Sequence, residues 1–158
     1  MKDYTFKVQS TIHLNSSDVW NIISTMEQVN NELFPFARMT YPVNKNHFCN
    51  LIEASNEKLF TSWILLFGIL PIDIHFLKLE KIEEGKAFYE NSTSIINKYW
   101  KHTRLLIAEN ENTILIDEVY FSPRIPILGI ILFPIYKKIF SNRHRQLLQI
   151  NKKTAKKS

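Results

Sequence analysis

Cysteine, glycine and extended apolar runs are scarce in this chain of 158 residues, and each scarcity closes off a class of proteins. The single cysteine, Cys49, can form no internal disulfide and no Cys-rich zinc framework, which predicts a reducing, cytoplasmic compartment. It follows Phe48 in an apolar run with no lysine or arginine beside it, so it reads as a buried, unreactive thiol. With only three glycines (Gly68, Gly85, Gly129) no phosphate cradle can be built, and motifs for nucleotide cofactors are missing. No Gly-x-Ser-x-Gly elbow is present either. The longest apolar stretches, residues 63–72 and 125–136, fall far short of the ~20 residues a membrane helix needs, and both contain proline. The first residues lack the apolar centre of a secretory signal, and no motif implies a cofactor.

Charge is unevenly placed. The net charge is +5, and four of the lysines lie in residues 151–158, which contain no acid; the other 150 residues carry only +1. A nucleic-acid groove needs basic residues spread along a face with aromatics among them. The remaining clusters, Lys137-Lys138 and Arg143-His144-Arg145, sit close to the C-terminus instead, so nucleic acid is not an expected partner. The reading is one domain over residues 1–150 followed by a flexible lysine-rich tail over 151–158.

What is present is a clear order of elements. Residues 4–13 alternate around Phe6, Val8 and Ile12, as a half-buried strand does. Asn15-Ser16-Ser17-Asp18 predicts a helix start with Asn15 as the cap, and a second short helix over 27–33 must stop before Pro35. Strand-like runs follow near residues 47–54, 59–67, 72–82, 87–96, 99–108 and 113–121. Short polar turns at 83–86, 97–98 and 109–112 suit hairpins. From Ile127 or Pro134 onward, Tyr136, Ile139, Phe140, Arg143, Leu147 and Ile150 recur at helical spacing. The fold class is α+β: a curved seven-stranded antiparallel sheet wrapped around a long C-terminal helix, with two short helices after the first strand. This is a helix-grip arrangement, and the space between sheet and helix is either filled or hollow.

That order and several segments resemble the START/Bet v 1-like superfamily, also called the SRPBCC or polyketide cyclase-like group. The likeness is carried by FKVQSTIHLNSSDVW (residues 6–20), LFTSWILLFGILPID (59–73), YWKHTR (99–104), IDEVYFSP (116–123) and KIFSNRHRQL (138–147), and it spans residues 4–149. The resemblance implies binding of a lipid-like or other hydrophobic ligand, and in some members cyclase or dehydratase chemistry.

On the strand over 99–108, Lys101 and Thr103 share one face while Trp100, His102, Arg104 and Leu106 share the other. Lysine prefers water, so the Trp100 face should point inward, with His102 and Arg104 about 6.6 Å apart along the strand. A buried guanidinium requires an acid, and Glu90, Asp117 and Glu118 are the candidates. Asp117 and Glu118 point to opposite faces; the resemblance implies Asp117. This cluster is either a structural ion pair or a receptor for a ligand's polar end. His102 with Asp117 or Glu90 would be the acid–base group of a cyclase-, dehydratase- or hydrolase-like enzyme. Trp63, Phe76, Trp100 and Leu106, with Tyr136, Ile139 and Phe140 of the helix, are the expected wall of an apolar site. Neither His13, His47, His75 nor His144 has metal-ligand spacing, and His75 beside Asp73 would need a third ligand, so no metal is expected.

The leading expectation is a binding domain that holds a small hydrophobic or amphipathic molecule between sheet and helix, without catalysis. An enzyme using His102 and an adaptor with a filled core are the alternatives. Ile130, Ile131, Leu132, Phe133 and Ile135, followed by Lys137, Lys138, Arg143, Arg145 and the tail, add an expectation of weak contact with an anionic membrane surface.

Overall fold

The computed structural model describes residues 2–48 and 59–155, with side chains through Ile150. Cys49, most of the strand expected over residues 47–54, and the side chains of the lysine tail lie outside the described residues. Of that expected strand, His47 forms only an isolated bridge to Thr25.

The chain opens with β1 (Tyr4–Ile12), then α1 (Ser16–Ile23) and α2 (Met26–Leu33). Asn15 caps α1 as expected, its Oδ1 accepting from the Asp18 N–H at 2.9 Å. The helix ends at Ser24, and Thr25 caps α2 by accepting from the Gln28 N–H at 3.1 Å. Next come β2 (Ala37–Met39), β3 (Phe60–Leu66), β4 (Leu70–Leu77), β5 (Leu79–Glu83), β6 (Ala87–Ser94), β7 (Asn97–Glu109) and β8 (Asn112–Pro123). The order across the antiparallel sheet is β1-β8-β7-β6-β4-β3-β2, with β5 also on β6. Since Lys78 alone separates β4 from β5 and both pair with β6, they form one broken strand, and the sheet is seven strands across.

Three details differ from the sequence reading. The short strand after α2 is Ala37–Met39, paired with β3, in a stretch with too little periodicity to signal it. The β6–β7 turn falls at Ile95-Ile96 instead of 97–98, and Asn97 already belongs to β7. Finally, α3 (Pro126–Ala155) begins at the earlier of its two expected starts, with proline at its first position, where no N–H is needed, but runs farther than expected at its other end. It continues through Pro134, which removes the hydrogen bond to the Ile130 carbonyl. The helix also includes the first five residues of the lysine-rich segment.

Three buried clusters surround α3. Met26, Val29, Leu33, Phe60, Leu77 and Phe88 form one beneath α2. Ile12, Val19, Trp20, Ile23, Leu106, Leu115 and Leu147 form a second beneath α1. Phe6, Val119, Phe121 and Phe140 form a third, where Tyr4 stacks on Phe121 with centroids 5.3 Å apart. Gly129 is required at this last contact, because a Cβ there would collide with the Tyr4 ring. The sheet thus curls around the long helix as the helix-grip pattern requires.

Candidate functional site

Strand pairing builds the site. Glu90 on β6 lies directly opposite His102 on β7, and Arg104 on β7 directly opposite Asp117 on β8. All four face the helix, since β7 presents Lys101 to water and buries His102 and Arg104 as its parity predicts. The acids and bases form one connected chain. His75 Nε2 meets Glu90 Oε1 at 2.6 Å, and the Ser92 hydroxyl donates to the same oxygen at 2.6 Å. His102 places Nδ1 3.6 Å from Glu90 Oε2 and Nε2 2.9 Å from Asp117 Oδ1. Arg104 forks onto Asp117 with two 2.7 Å hydrogen bonds from Nε and Nη2. Its Nη1 reaches Glu32 of α2 at 2.9 Å.

The C-terminal helix closes the chain. Arg143 Nε donates to Glu32 at 3.0 Å, and His144 Nε2 meets Asp117 Oδ2 at 3.0 Å while Nδ1 meets the Ser10 hydroxyl at 2.9 Å. Three buried carboxylates (Glu32, Glu90, Asp117) therefore face two guanidiniums and three imidazoles. Burial alone would push the Asp117 carboxyl up, but the Arg104 charge and hydrogen bonds, then His102, hold it well below the usual range. For Glu90, burial is outweighed by His102 and His75, and this carboxyl is also held far below its ordinary value. Burial works against the Arg104 charge, yet Asp117 and Glu32 raise its pKa above normal. Burial and the nearby Arg104 charge lower that of Arg143.

Above this chain lies a cavity of about 340 Å³ between α2, β3, β4 and α3, at the small end of the roughly 300–1,000 Å³ typical of ligand pockets. Its walls are mainly apolar, with Val29, Leu33, Ile64, Leu77, Phe88, Trp100, Ile139 and Phe140 prominent. At the floor are His75, Glu90, His102 and Arg143, and nearer the mouth are Asp73, Asn97 and Tyr136. The mouth itself is marked by Ile72 and Ile135, which line the cavity yet remain 45% and 47% exposed.

The sequence-derived residues divide between wall, floor and elsewhere. Glu90, Trp100, His102, Tyr136, Ile139 and Phe140 line the cavity. Trp63 does not: β3 turns Phe60, Ser62 and Ile64 inward, leaving Trp63 47% exposed on the opposite face. The small Ser62 faces the helix and the large Trp63 faces out, the reverse of what size suggests. Phe76 shares the outward parity of Ile74 on β4, whereas His75 and Leu77 point in. Leu106 is buried farther along, in the cluster beneath α1. Arg104 and Asp117 lie behind the floor at 1% and 0% exposure, with all three guanidinium nitrogens engaged by acids. The expectation that Arg104 receives a ligand's head group is corrected accordingly. Glu118 is on the outer face, 3.3 Å from Lys7. His75 partners Glu90, while Asp73 accepts from the Ile74 and Ile96 N–H groups.

Glu32, His144 and Asn97 escaped the sequence reading. The signal for Glu32 was available: it falls beside Val29 and Leu33 on the apolar stripe of α2, where an unpaired charge would be costly. His144 sits one turn from Phe140 in the same way.

Comparison with known proteins places this geometry. No curated protein matches the chain. Among solved structures, the ZhuI aromatase/cyclase from Streptomyces sp. R1128 superposes with a TM-score of 0.70 at 9% identity, over 98% of this chain and 96% of that one. A START superfamily protein from Mycobacterium smegmatis gives 0.65 at 6% identity over 95% and 98%. Protein CV1439 from Chromobacterium violaceum gives 0.66 at 11% identity over 92% and 95%. Such low identities establish the fold, which is START/Bet v 1-like. Residues 10–150 match the model of a domain of unknown function, DUF8410, and the chain belongs to that family.

Proposed function

We propose that the protein binds a small hydrophobic or amphipathic molecule in the cavity between β3, β4, β6 and α3. The observation that carries this reading is the cavity's composition: apolar walls over a floor of acidic and basic side chains that are already paired with one another. Burial of ligand hydrocarbon at ~25 cal/mol per Å² supplies the affinity. The floor gives the cavity a polar end at His75, Glu90 and His102. His102 is poorly placed as a general base, because both ring nitrogens already face carboxylate oxygens.

The test is native mass spectrometry of gently purified protein, followed by solvent extraction and a panel of fatty acids, sterols and aromatic polyketides. The expected result is a discrete added mass, or saturable binding from the panel, that disappears in an Ile139→Trp variant whose indole fills the cavity. No adduct and no panel binding by the native protein would remove the proposal.

A second reading, contact with an anionic membrane surface during ligand exchange, is favoured by one feature. Ile127, Ile130, Ile131 and Ile135 are exposed along α3, Ile135 lining the cavity, with Lys137 and Lys138 exposed directly after them. Among the described residues no helix is long and apolar enough to cross a membrane. Co-sedimentation with vesicles containing phosphatidylserine, lost on Ile130→Asp/Ile131→Asp, would support surface contact, and equal sedimentation of the variant would dismiss it.

A further inference from the structure

Near the mouth of the cavity, Asn97 and Tyr136 form a polar pair that the buried ionic chain does not reach. The Asn97 amide Nδ2 donates to the Tyr136 hydroxyl at 2.9 Å, bridging the start of β7 and the middle of α3. Asn97 is only 2% exposed, and its Oδ1 has no hydrogen-bond partner. Its backbone is otherwise fixed, with the N–H donating to the Ser94 hydroxyl at 2.8 Å. Tyr136 packs edge-on against Trp100 and Phe121, so the ring has little freedom to swing its hydroxyl elsewhere. Burial pushes the phenol up to about 12, helped by the Asp73 charge, so it keeps its proton at any physiological pH.

A buried carbonyl left without a donor costs about 1–3 kcal/mol, so a position that retains one calls for a physical reason. Here the amide oxygen offers an acceptor site and the phenol, already accepting from Asn97, offers its proton. Turning the amide over exchanges the two roles and leaves the same demand: one donor and one acceptor, side by side in an apolar wall. A carboxylate can only accept and an ammonium can only donate, whereas a hydroxyl group does both.

We infer that Asn97 and Tyr136 are a hydroxyl-recognition subsite, selecting apolar ligands that carry an alcohol or phenol group near their outer end. This rests on the reading of the cavity as a ligand site. The hydroxyl donates to Asn97 Oδ1 and accepts from the Tyr136 phenol, while the hydrocarbon occupies the wall toward Phe88 and Ile139. A ligand of the same shape with methyl in place of hydroxyl leaves both groups unpaired and is rejected for that reason.

The experiment compares 2-naphthol with 2-methylnaphthalene by calorimetric or fluorescence titration of the full-length protein. The expected result is a preference for 2-naphthol of about 10–100-fold, from one to two well-formed buried hydrogen bonds. Tyr136→Phe and Asn97→Leu should each reduce that preference several-fold, read as the ratio of the two affinities measured on the same variant. The double variant without ligand should melt no lower than the native protein, since both polar partners are replaced together. Equal binding of the two compounds by the native protein, or an undiminished preference in Tyr136→Phe, overturns the subsite and leaves the cavity reading standing. Binding of neither compound also overturns the subsite as stated, while the cavity reading falls only if the ligand panel fails as well.

Discussion

Arg104→Met tests whether the buried ionic chain holds the fold together. Methionine fills much of the same volume without charge, so the substitution isolates loss of the guanidinium from loss of packing. Arg104 makes two 2.7 Å hydrogen bonds to Asp117 and a 2.9 Å contact with Glu32. Removing one partner of a buried ion pair costs about 3–5 kcal/mol, because the other charge is left in a medium that solvates it poorly. Both acids keep some support, Asp117 from His102 and His144 and Glu32 from Arg143, which favours the lower end of that range. At about 2–4 °C per kcal/mol for a domain of this size, a 3 kcal/mol loss lowers the melting temperature by ~6–12 °C at pH 7. The pH dependence has a definite sign. Native Asp117 is held below its unfolded value, so it contributes stability above about pH 4 that is lost as pH falls toward the folded value. In the variant that contribution is smaller, so the two melting curves converge on acidification. Thermal unfolding followed by circular dichroism at pH 7, 5 and 3.5 provides the measurement. Arg104→Met/Asp117→Leu should recover much of the loss, because no unpaired acid remains on β8. A cost below about 1 kcal/mol at pH 7, or a double variant as unstable as the two single losses added, would refute the argument.

Other consequences follow from single contacts. Because Glu90 and Asp117 are both held low, the native melting temperature should decline steadily as pH drops below about 4, and a flat profile between pH 5 and 3 would contradict their ionised pairing. Gly129→Ala places a methyl against the Tyr4 ring and should cost about 1–3 kcal/mol in chemical denaturation, with much of that cost absent in a Tyr4→Ala background. Asn15→Ala removes the α1 cap and should cost about 1 kcal/mol in the same assay. Trp63→Ala should leave ligand affinity within about two-fold in the panel titration, because its side chain faces away from the cavity; a ten-fold loss would return it to the wall.

Which parts of the molecule the sequence disclosed depended on how local each signal was. The parity of β7 was decided by Lys101 alone, and it placed His102 and Arg104 inside without knowledge of any neighbour. The cap at Asn15 is equally local, fixed within four residues. The ion pairs are not. Glu32 meets Arg104 from 72 positions away and Arg143 from 111, so no spacing rule could join them. Trp63 was misplaced for a different reason: a short strand with large residues on both faces has no reliable parity, and the bulge between Ile64 and Leu65 blurs it further. His75 and Asp73 share one parity of a strand and so could have met a metal only with a third ligand. In the fold, the Asp73 carboxylate turns toward the β6–β7 backbone while His75 turns to Glu90.

The ionic chain also explains how a hollow can persist beneath a long helix. An apolar helix over an apolar sheet would slide or settle until the gap closed, since hydrophobic contact has no preferred direction. Here α3 is held by groups that do have direction. Asn142 donates to the Glu32 and Phe34 carbonyls at 3.1 and 2.8 Å, Arg143 to Glu32, and His144 is fixed between Asp117 and Ser10. These contacts fall on three consecutive residues, so they set the helix's rotation and its height above the sheet together. Toward the mouth, the next polar attachment to the sheet is at Tyr136, about 9–12 Å nearer the helix N-terminus at 1.5 Å per residue. Between those two fastenings, Ile139 and Phe140 roof the cavity without having to reach its far wall. Severing the inner fastening should therefore change the cavity as well as stability. His144→Leu with Arg143→Met should let α3 settle onto β3 and β4, weakening 2-naphthol binding at temperatures where the variant is still folded. Unaltered affinity in that double variant would mean that the hollow is maintained by the sheet's curvature instead.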